Sequence, residues 1–197
     1  MYTRQADRIP IAKFIVIVSL AVACTVPMLA IAELVVPSGI TAFHQGDSLT
    51  GNGSTLDAIN GTGMSKPDAD DPSTWTMTST AWADDWQGFS TPSGNNTWAV
   101  LDLGGATPNL DKMYLWNVNE NNATNRGMNG FEIYHTTSPT VSPPATSGTV
   151  RSYDFASGGW TKLPGSFSLP QATGGGDGGQ SFDVSAAGGA RYIGIKM

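Results

Sequence analysis

The chain has almost no cysteine and few charged side chains, and both shortages restrict what it can be. Its only cysteine is Cys24, so the rest of the sequence offers no disulfide, thiolate zinc site or cysteine nucleophile. Charged residues make up 13% of the 197 residues, and 16 acidic residues against 10 basic ones give a net charge of −6. Nucleic-acid binding needs a basic patch that releases counterions, so the composition argues against nucleic acid as a partner.

Catalytic motifs are also missing. The two histidines, His44 and His135, lie far apart, and no Gly-x-Ser-x-Gly sequence supplies a serine on a strained turn. The acidic pairs Asp70-Asp71 and Asp84-Asp85 are adjacent in the sequence, whereas the two carboxylates of a glycosidase face each other across a cleft. These observations predict a protein that is not an enzyme.

The N-terminus has the pattern of a secretory signal peptide over residues 1–32. Basic residues at Arg4, Arg8 and Lys13 precede an apolar run that ends in Ala30-Ile31-Ala32, a small-residue cleavage signature. An uncleaved membrane anchor is the alternative, because the apolar run approaches the ~20 residues that span a bilayer. We expect cleavage, a secreted or cell-surface location, and no membrane insertion of the mature chain.

Residues 33–197 would then form the mature protein, with residues 33–37 as a short tether and residues 38–197 as a single domain. This part of the chain is rich in glycine, serine, threonine and asparagine. Such a composition favours short strands and many turns, so the predicted fold class is all-β.

The segment between residues 98 and 133 carries the strongest strand signals. Leu101 and Leu103 alternate with Asp102 and are followed by a Gly-Gly break, which predicts a half-buried strand with a definite end. Strand, turn and strand in this order predict an antiparallel β-sandwich. The glycine-rich run Gly174–Gly179 is predicted to be too flexible for regular structure. The remaining strand predictions are Ile40–Phe43, Met113–Leu115, Phe131–Ile133, Trp160–Leu163, Phe182–Val184 and Tyr192–Ile195.

Several short motifs follow one another along the chain: DAING at 57–61, WAVLDLG at 98–104, WNVNE at 116–120, Arg126-Gly127, Phe131-Glu132-Ile133 and ARYIGI at 190–195. Their order resembles the discoidin domains, which are coagulation-factor C-type modules of the galactose-binding-like superfamily. The resemblance covers about residues 38–197. It implies a jelly-roll β-sandwich, and because related domains continue with one more hairpin it implies that a last strand is missing after Met197.

The resemblance implies carbohydrate as a ligand, and a tryptophan-bearing loop supplies the first candidate residues for it. Trp82 and Trp86 lie in loop-like sequence beside Asp84 and Asp85. Indole rings can stack on the apolar face of a sugar while nearby carboxylates bind its hydroxyl groups. The alternative is that these tryptophans cover one end of the sandwich or fill its core.

A second group of ligand candidates follows Trp116. Asn119, Glu120 and Arg126 are amide and charged groups of the kind that bind sugar hydroxyls. The structural alternative is that Glu120 pairs with Arg126 to hold the loop between them, and that Asn119 caps a turn by bonding its own backbone. In that interpretation Trp116 belongs to the core.

Calcium is the only cofactor that the resemblance suggests, as a structural ion near the early turn. Asp57, Asn60 and Gly61 match that turn, and tight turns of this composition supply the oxygen ligands that calcium prefers. Asn60 stands where the family usually has aspartate, which lowers the charge available to the ion.

The sequence therefore predicts a non-catalytic exported module that binds carbohydrate on a cell surface or in extracellular polysaccharide. We expect a monomer or a part of a larger surface protein. The alternatives are a structural or adhesion domain without a small ligand, and an accessory domain of a secreted hydrolase.

Overall fold

The structure is a computed structural model, and it describes residues 34–42, 57–81, 84, 98–107, 109–145 and 152–197, without the side chains of residues 57 and 126. The predicted signal peptide at residues 1–32 lies outside the described residues. Residues 34–37 of the predicted tether have no regular secondary structure. Residues Leu34–Met197 form one compact unit.

Short β-strands account for most of the regular structure, and every strand pair among the described residues is antiparallel. The all-β prediction is therefore confirmed. Among the described residues, helical structure consists of one α-helical turn, α1 (Asp57–Asn60), 3₁₀ turns at Pro72–Thr74, Thr124–Arg126 and Ser185–Ala187, and Asp84 in 3₁₀ geometry. The strands are β1 (Gly39–Ala42), β2 (Met64–Ser65), β3 (Thr76–Met77), β4 (Trp98–Asp102), β5 (Lys112–Leu115), β6 (Gly130–Thr136), β7 (Thr161–Lys162), β8 (Phe167–Ser168), β9 (Asp177–Gly178), β10 (Gln180–Asp183) and β11 (Tyr192–Lys196).

The largest sheet has the strand order β1-β4-β11-β6-β7, and β8 also pairs with β6. The strand nearest the C-terminus, β11, lies in the middle of this sheet. Ile193 is opposite Leu101 of β4 on one side and opposite His135 of β6 on the other. Strand predictions overlap β1, β4, β6, β7 and β11 of this sheet, whereas none of them covers β8.

The main core lies between the large sheet and the two-stranded sheet β5–β10. Ile133 and Ile193 of the large sheet are 0% and 4% exposed and belong to the same buried cluster as Phe182 of β10. Phe131 contacts Phe182 edge to face, with ring centroids 5.2 Å apart. This two-layer packing gives the described domain its β-sandwich-like character.

The opposite face of the large sheet is also covered, by the segment 152–160. Phe155 is 1% exposed and stacks on Tyr134 of β6 at 4.7 Å between ring centroids. A Cβ atom at Gly194 of β11 would overlap the Phe155 ring, so glycine is required there for the close approach. We call this aromatic cluster the sheet cover; it comprises Trp98, Tyr134, Tyr153, Phe155 and Trp160.

An ion pair joins two strands of the large sheet at one end. Arg191, immediately before β11, donates from Nε and Nη2 to the two carboxylate oxygens of Asp102 in β4, at 3.0 and 2.9 Å. The Asp102 carboxylate also accepts from the Gly104 backbone N–H at 2.8 Å. The Arg191 guanidinium group lowers the pKa of Asp102 chiefly through these hydrogen bonds. Two residues of the sequence motifs thus have a structural role.

The prediction that Gly174–Gly179 lacks regular structure is wrong. Asp177 and Gly178 form β9, which pairs with β3 in a three-stranded sheet β2-β3-β9 that the sequence did not predict. The Asp177 carboxylate fixes this run locally because it accepts hydrogen bonds from the backbone N–H and the hydroxyl of Thr173 at 2.9 and 3.0 Å. Long-range pairing and this carboxylate together restrain a composition that would otherwise be flexible.

Within the described part of the chain, no helix has the length and apolar character needed to cross a membrane.

Candidate functional site

The predicted tryptophan loop is described at one candidate residue only. Trp82, Asp85 and Trp86 lie outside the described residues, so their stacking role stays a prediction. Asp84 is half-buried, and its Oδ2 atom accepts a hydrogen bond from the Ser79 hydroxyl at 2.5 Å. The Asp84 carboxylate therefore holds the turn that follows β3.

Asn119 is not a surface ligand residue. Its side chain is 0% exposed, and its amide nitrogen donates to the backbone carbonyls of Met77, Ser79 and Gly175 at 3.3, 3.0 and 2.7 Å. Its amide oxygen accepts from the Gly174 backbone N–H at 3.0 Å. The prediction of a ligand role is contradicted by this burial. The alternative of a local turn cap is also wrong, because the partners are 40 to 56 residues away in sequence.

Asn117, two residues earlier, has the same kind of structural role. Its amide oxygen accepts from the Met128 backbone N–H at 2.7 Å, and its amide nitrogen donates to the carbonyls of Met128 and Pro170 at 3.0 and 2.8 Å. Buried or half-buried amides bonded in this way stabilise loops that have no regular backbone pairing of their own. The amides of the WNVNE motif therefore connect loops.

The structure describes Glu120 and the backbone of Arg126, but not the Arg126 side chain. Glu120 is half-buried, and its backbone carbonyl accepts from the Ala123 N–H at 3.0 Å. Arg126 ends the 3₁₀ turn Thr124–Arg126, and its side chain lies outside the description. A pair between Glu120 and Arg126, and a ligand role for either, stay predictions.

The early turn proposed for calcium carries a lysine. The Asn60 amide oxygen accepts from the Thr62 backbone N–H at 2.7 Å, and Gly61 has a φ of +74°. The Lys66 ammonium group lies so close to Gly61 that a Cβ atom there would overlap it. In the described part of the chain, no three His, Cys, Asp or Glu side chains converge as a metal-binding group. Calcium at this turn stays a prediction, and the positive charge of Lys66 argues against it.

The solvent-facing side of β5 carries two aromatic side chains that the structure brings together with a third. Met113 and Leu115 pack against the main core. Because side chains alternate along a strand, Tyr114 and the following Trp116 lie on the other face, and both are half-buried. Trp75, next to β3, is 8% exposed and contacts Trp116. We call Trp75, Trp116 and Tyr114 the aromatic row.

The rings of the aromatic row lie almost parallel. Trp75 and Trp116 have centroids 6.0 Å apart and planes 20° apart, and the corresponding values for Trp116 and Tyr114 are 6.3 Å and 27°. The Trp116 indole N–H donates to the Trp75 carbonyl at 3.1 Å, and the Trp75 indole N–H donates to the Asp68 carbonyl at 2.5 Å. The Lys66 ammonium group lies 4.4 Å from the centroid of the Trp75 ring. These contacts fix the orientation of the indole rings.

Exposed polar side chains border the aromatic row on β5 and β10. Ser181 is opposite Tyr114, and Asp183 is opposite Lys112. All three polar residues are exposed. Hydrogen bonds from the hydroxyl and N–H of Ser185, and then the charge of Lys112, lower the pKa of Asp183, so its carboxylate is ionised at neutral pH. The surface thus combines apolar rings with groups that donate and accept hydrogen bonds.

The sequence carries a signal for this surface in the alternation of β5. From Lys112 to Trp116 the chain alternates polar or aromatic residues with Met113 and Leu115. With the aliphatic residues on the core side, period-two alternation places Tyr114 and Trp116 on the outer side. The half-buried position of Trp116 differs from the alternative that assigns this ring to the core.

Comparisons of this chain with protein-family models, with curated proteins and with solved structures find no match. A function therefore has to be inferred from the residues of the chain itself.

Proposed function

We propose that this protein is a non-catalytic exported module that binds carbohydrate on a cell surface or in extracellular polysaccharide, and that the aromatic row is its binding surface. The observation that carries this proposal is the pair of half-buried rings, Tyr114 and Trp116, fixed on the solvent-facing side of β5. The proposed binding surface is a strand face, and stacking by Trp82 and Trp86 stays a separate prediction.

Physical chemistry supports carbohydrate as the ligand class for such a surface. Sugars present patches of C–H groups beside hydroxyl groups, so they need apolar surface next to hydrogen-bonding groups. The aromatic row offers the apolar surface, and the exposed side chains of Lys112, Ser181 and Asp183 offer the hydrogen-bonding groups. Because the ring orientations are fixed before binding, little conformational entropy is lost when a ligand stacks on them.

The proposal includes the finer fold and the export route. The β-sandwich-like packing and the motif order support a discoidin-like jelly roll for residues 38–197. The basic and apolar N-terminal pattern supports a signal peptide over residues 1–32. Mass spectrometry of the exported protein tests the second point, because cleavage after Ala32 predicts a chain that begins at Glu33. A chain that retains Met1 in the membrane fraction would identify an anchor.

A structural or adhesion domain without a small ligand is the second candidate. The observation that favours it is the internal use of Asn117 and Asn119, whose amides hold loops together. If the protein is such a domain, the aromatic row only packs β3 against β5, and no glycan is bound.

A glycan-array screen of the full-length chain, with and without calcium, separates the two candidates. Trp116→Ala and Trp160→Ala are a matched pair, because both tryptophans are half-buried and each indole N–H donates one hydrogen bond. Trp116 donates to the Trp75 carbonyl at 3.1 Å, and Trp160 donates to the Tyr153 hydroxyl at 2.8 Å. The proposal expects glycan signal that is lost in Trp116→Ala and kept in Trp160→Ala. Silence from a folded sample would favour the structural role. Signal that requires calcium would support the calcium prediction.

A further inference from the structure

We propose that Gly179 is a positioning residue for the aromatic row, and that the glycine-rich run Gly174–Gly179 seats the Trp116 indole. The part of this inference that concerns ligand affinity rests on the proposed function. The part that concerns the orientation of the ring rests on the structure alone.

The Trp116 ring lies directly against the backbone of Gly179. A Cβ atom at Gly179 would be 2.5 Å from Cε2, 2.7 Å from Cζ2 and 2.8 Å from Nε1 of Trp116. Real Cβ atoms do not approach other heavy atoms this closely. Gly179 is not one of the described glycines that have a positive φ. Its backbone conformation therefore admits any residue, and the space taken by the indole is what requires glycine.

Two neighbouring glycines provide an internal comparison. A Cβ atom at Gly176 or at Gly178 would meet nothing within 4 Å. Neither has a positive φ. Contact with an aromatic ring therefore requires glycine at position 179 and not at 176 or 178, while Gly174 favours glycine for a different reason, its φ of +80°.

The run is anchored, so it cannot retreat from a larger side chain without breaking other contacts. Asn119 binds both the Gly174 N–H and the Gly175 carbonyl, and the Asp177 carboxylate binds Thr173. β9 then pairs with β3 immediately before Gly179. A methyl group at Gly179 would consequently displace the indole and not the loop.

The displaced atoms include the hydrogen-bonding nitrogen of Trp116. Nε1 donates to the Trp75 carbonyl at 3.1 Å, and this bond holds the two indole rings in their near-parallel arrangement. Moving the indole breaks the bond and changes the surface offered to a ligand. Because binding to a preorganised surface depends on that geometry, we expect ligand affinity to fall by about tenfold or more.

The test compares Gly179→Ala with Gly178→Ala in the full-length chain. Near-ultraviolet circular dichroism and tryptophan fluorescence report the indole environment without a ligand, and the dissociation constant for the glycan with the strongest array signal reports binding. We expect Gly179→Ala to change the spectra and to weaken binding by about tenfold or more, and Gly178→Ala to change neither. Unchanged spectra in Gly179→Ala, or equal changes in both variants, would overturn the inference.

A double-variant cycle keeps the test decisive if Gly179→Ala folds poorly. Alanine at position 116 has none of the three indole atoms that a Cβ atom at position 179 would strike, so in the Trp116→Ala background Gly179→Ala should cost no further stability. A cost of Gly179→Ala that disappears in Trp116→Ala/Gly179→Ala supports the inference, and a cost that is unchanged by Trp116→Ala contradicts it. If the wild-type chain binds no glycan while Gly179→Ala alone alters the spectra, the proposed function fails and the positioning of Trp116 stands.

Discussion

The sheet cover and the aromatic row are both clusters of tryptophan and tyrosine, yet they differ in burial and in the use of their polar atoms. In the sheet cover, Trp98 and Phe155 are each 1% exposed, and the Tyr153 hydroxyl accepts from Trp160 while it donates to the Val141 carbonyl. In the aromatic row, Tyr114 and Trp116 are half-buried and border exposed polar side chains.

The comparison shows that aromatic content alone does not identify a binding surface. Phe155 packs against the strand at Gly194 and covers one face of the large sheet, so burial of its apolar surface stabilises the fold. Tyr114 and Trp116 keep part of their area in contact with solvent, and Trp75 stacks on Trp116. Stability and binding are therefore expected to depend on different aromatic residues.

The largest effect on stability is expected from Phe155→Ala. This change removes a ring that stacks on Tyr134 at 4.7 Å and contacts Trp160 edge to face at 5.1 Å. Deleting a fully buried phenylalanine typically costs about 3–5 kcal/mol of unfolding free energy. Urea denaturation measures the loss, and Tyr114→Ala is the control from the aromatic row, with a smaller expected loss. Equal losses in the two variants would remove the distinction between the clusters.

Asn119→Ala should have the next largest effect, in the region that supports the aromatic row. The change removes four hydrogen bonds and leaves the carbonyls of Met77, Ser79 and Gly175 without this donor. We expect a loss of about 3 kcal/mol, because buried polar groups without partners are costly. Asn121→Ala, at an exposed asparagine, is the matched control and should change stability by less than about 0.5 kcal/mol. A mild Asn119→Ala phenotype would mean that this amide does not hold the loops.

The sheet cover should also weaken at alkaline pH. Burial, and then the Glu132 carboxylate that accepts its hydrogen bond at 2.7 Å, raise the pKa of Tyr134 to about 12. The unfolded chain releases this proton near pH 10, so the contribution is complete below about pH 10 and is lost as the pH rises towards 12. The expected loss across that window is about 2 kcal/mol. Tyr134→Phe should lack this part of the pH dependence, and parallel curves for the two proteins would contradict it.

The smallest of these effects concerns the ion pair between Asp102 and Arg191. Their side chains are 29% and 43% exposed, so solvent screens the charges, although two hydrogen bonds join them. A double-mutant cycle with Asp102→Ala and Arg191→Ala should give a coupling of about 1 kcal/mol that decreases with salt. Since the folded pKa of Asp102 is lowered, the coupling is present at neutral pH and is lost as the pH falls through that pKa. Additive effects of the two changes would show that the pair contributes nothing.

Strands β4, β6 and β11 of the large sheet could be predicted because apolar residues recur in them at strand spacing. Leu101, Phe131 and Ile193 lie on the face of the main core, and each has one polar or small neighbour that follows it, Asp102, Glu132 or Gly194. The two-residue strands β2, β3, β8 and β9 could not be predicted, because so short a strand contains no periodicity. The equally short β7 could be predicted only because Trp160–Leu163 resembles a strand of the discoidin family. Strands β2, β3 and β9 form through Asn119 and Asp177, whose partners are set by the folded chain.

The candidate site was predicted less well than the fold. Amide and charged residues near Trp116 were chosen by chemical type, and the structure uses the Asn119 amide internally. Sequence spacing could have indicated that Tyr114 and Trp116 share the outer face of β5. It could not have indicated that Trp75 and Gly179 contact Trp116, since these residues are 41 and 63 positions away from it in the sequence.

Tyr114→Ala and Tyr192→Ala together give the most direct test that the aromatic row is the binding surface. For each variant, the dissociation constant for the best array glycan and the free energy of unfolding are measured. Tyr192 is a half-buried tyrosine that packs against the sheet cover, so it matches Tyr114 in type and exposure. The account predicts that Tyr114→Ala weakens binding by about tenfold or more with the smaller loss of stability, while Tyr192→Ala is destabilised and binds normally. Equal affinities in Tyr114→Ala and the wild type would contradict the claim that the aromatic row is the binding surface.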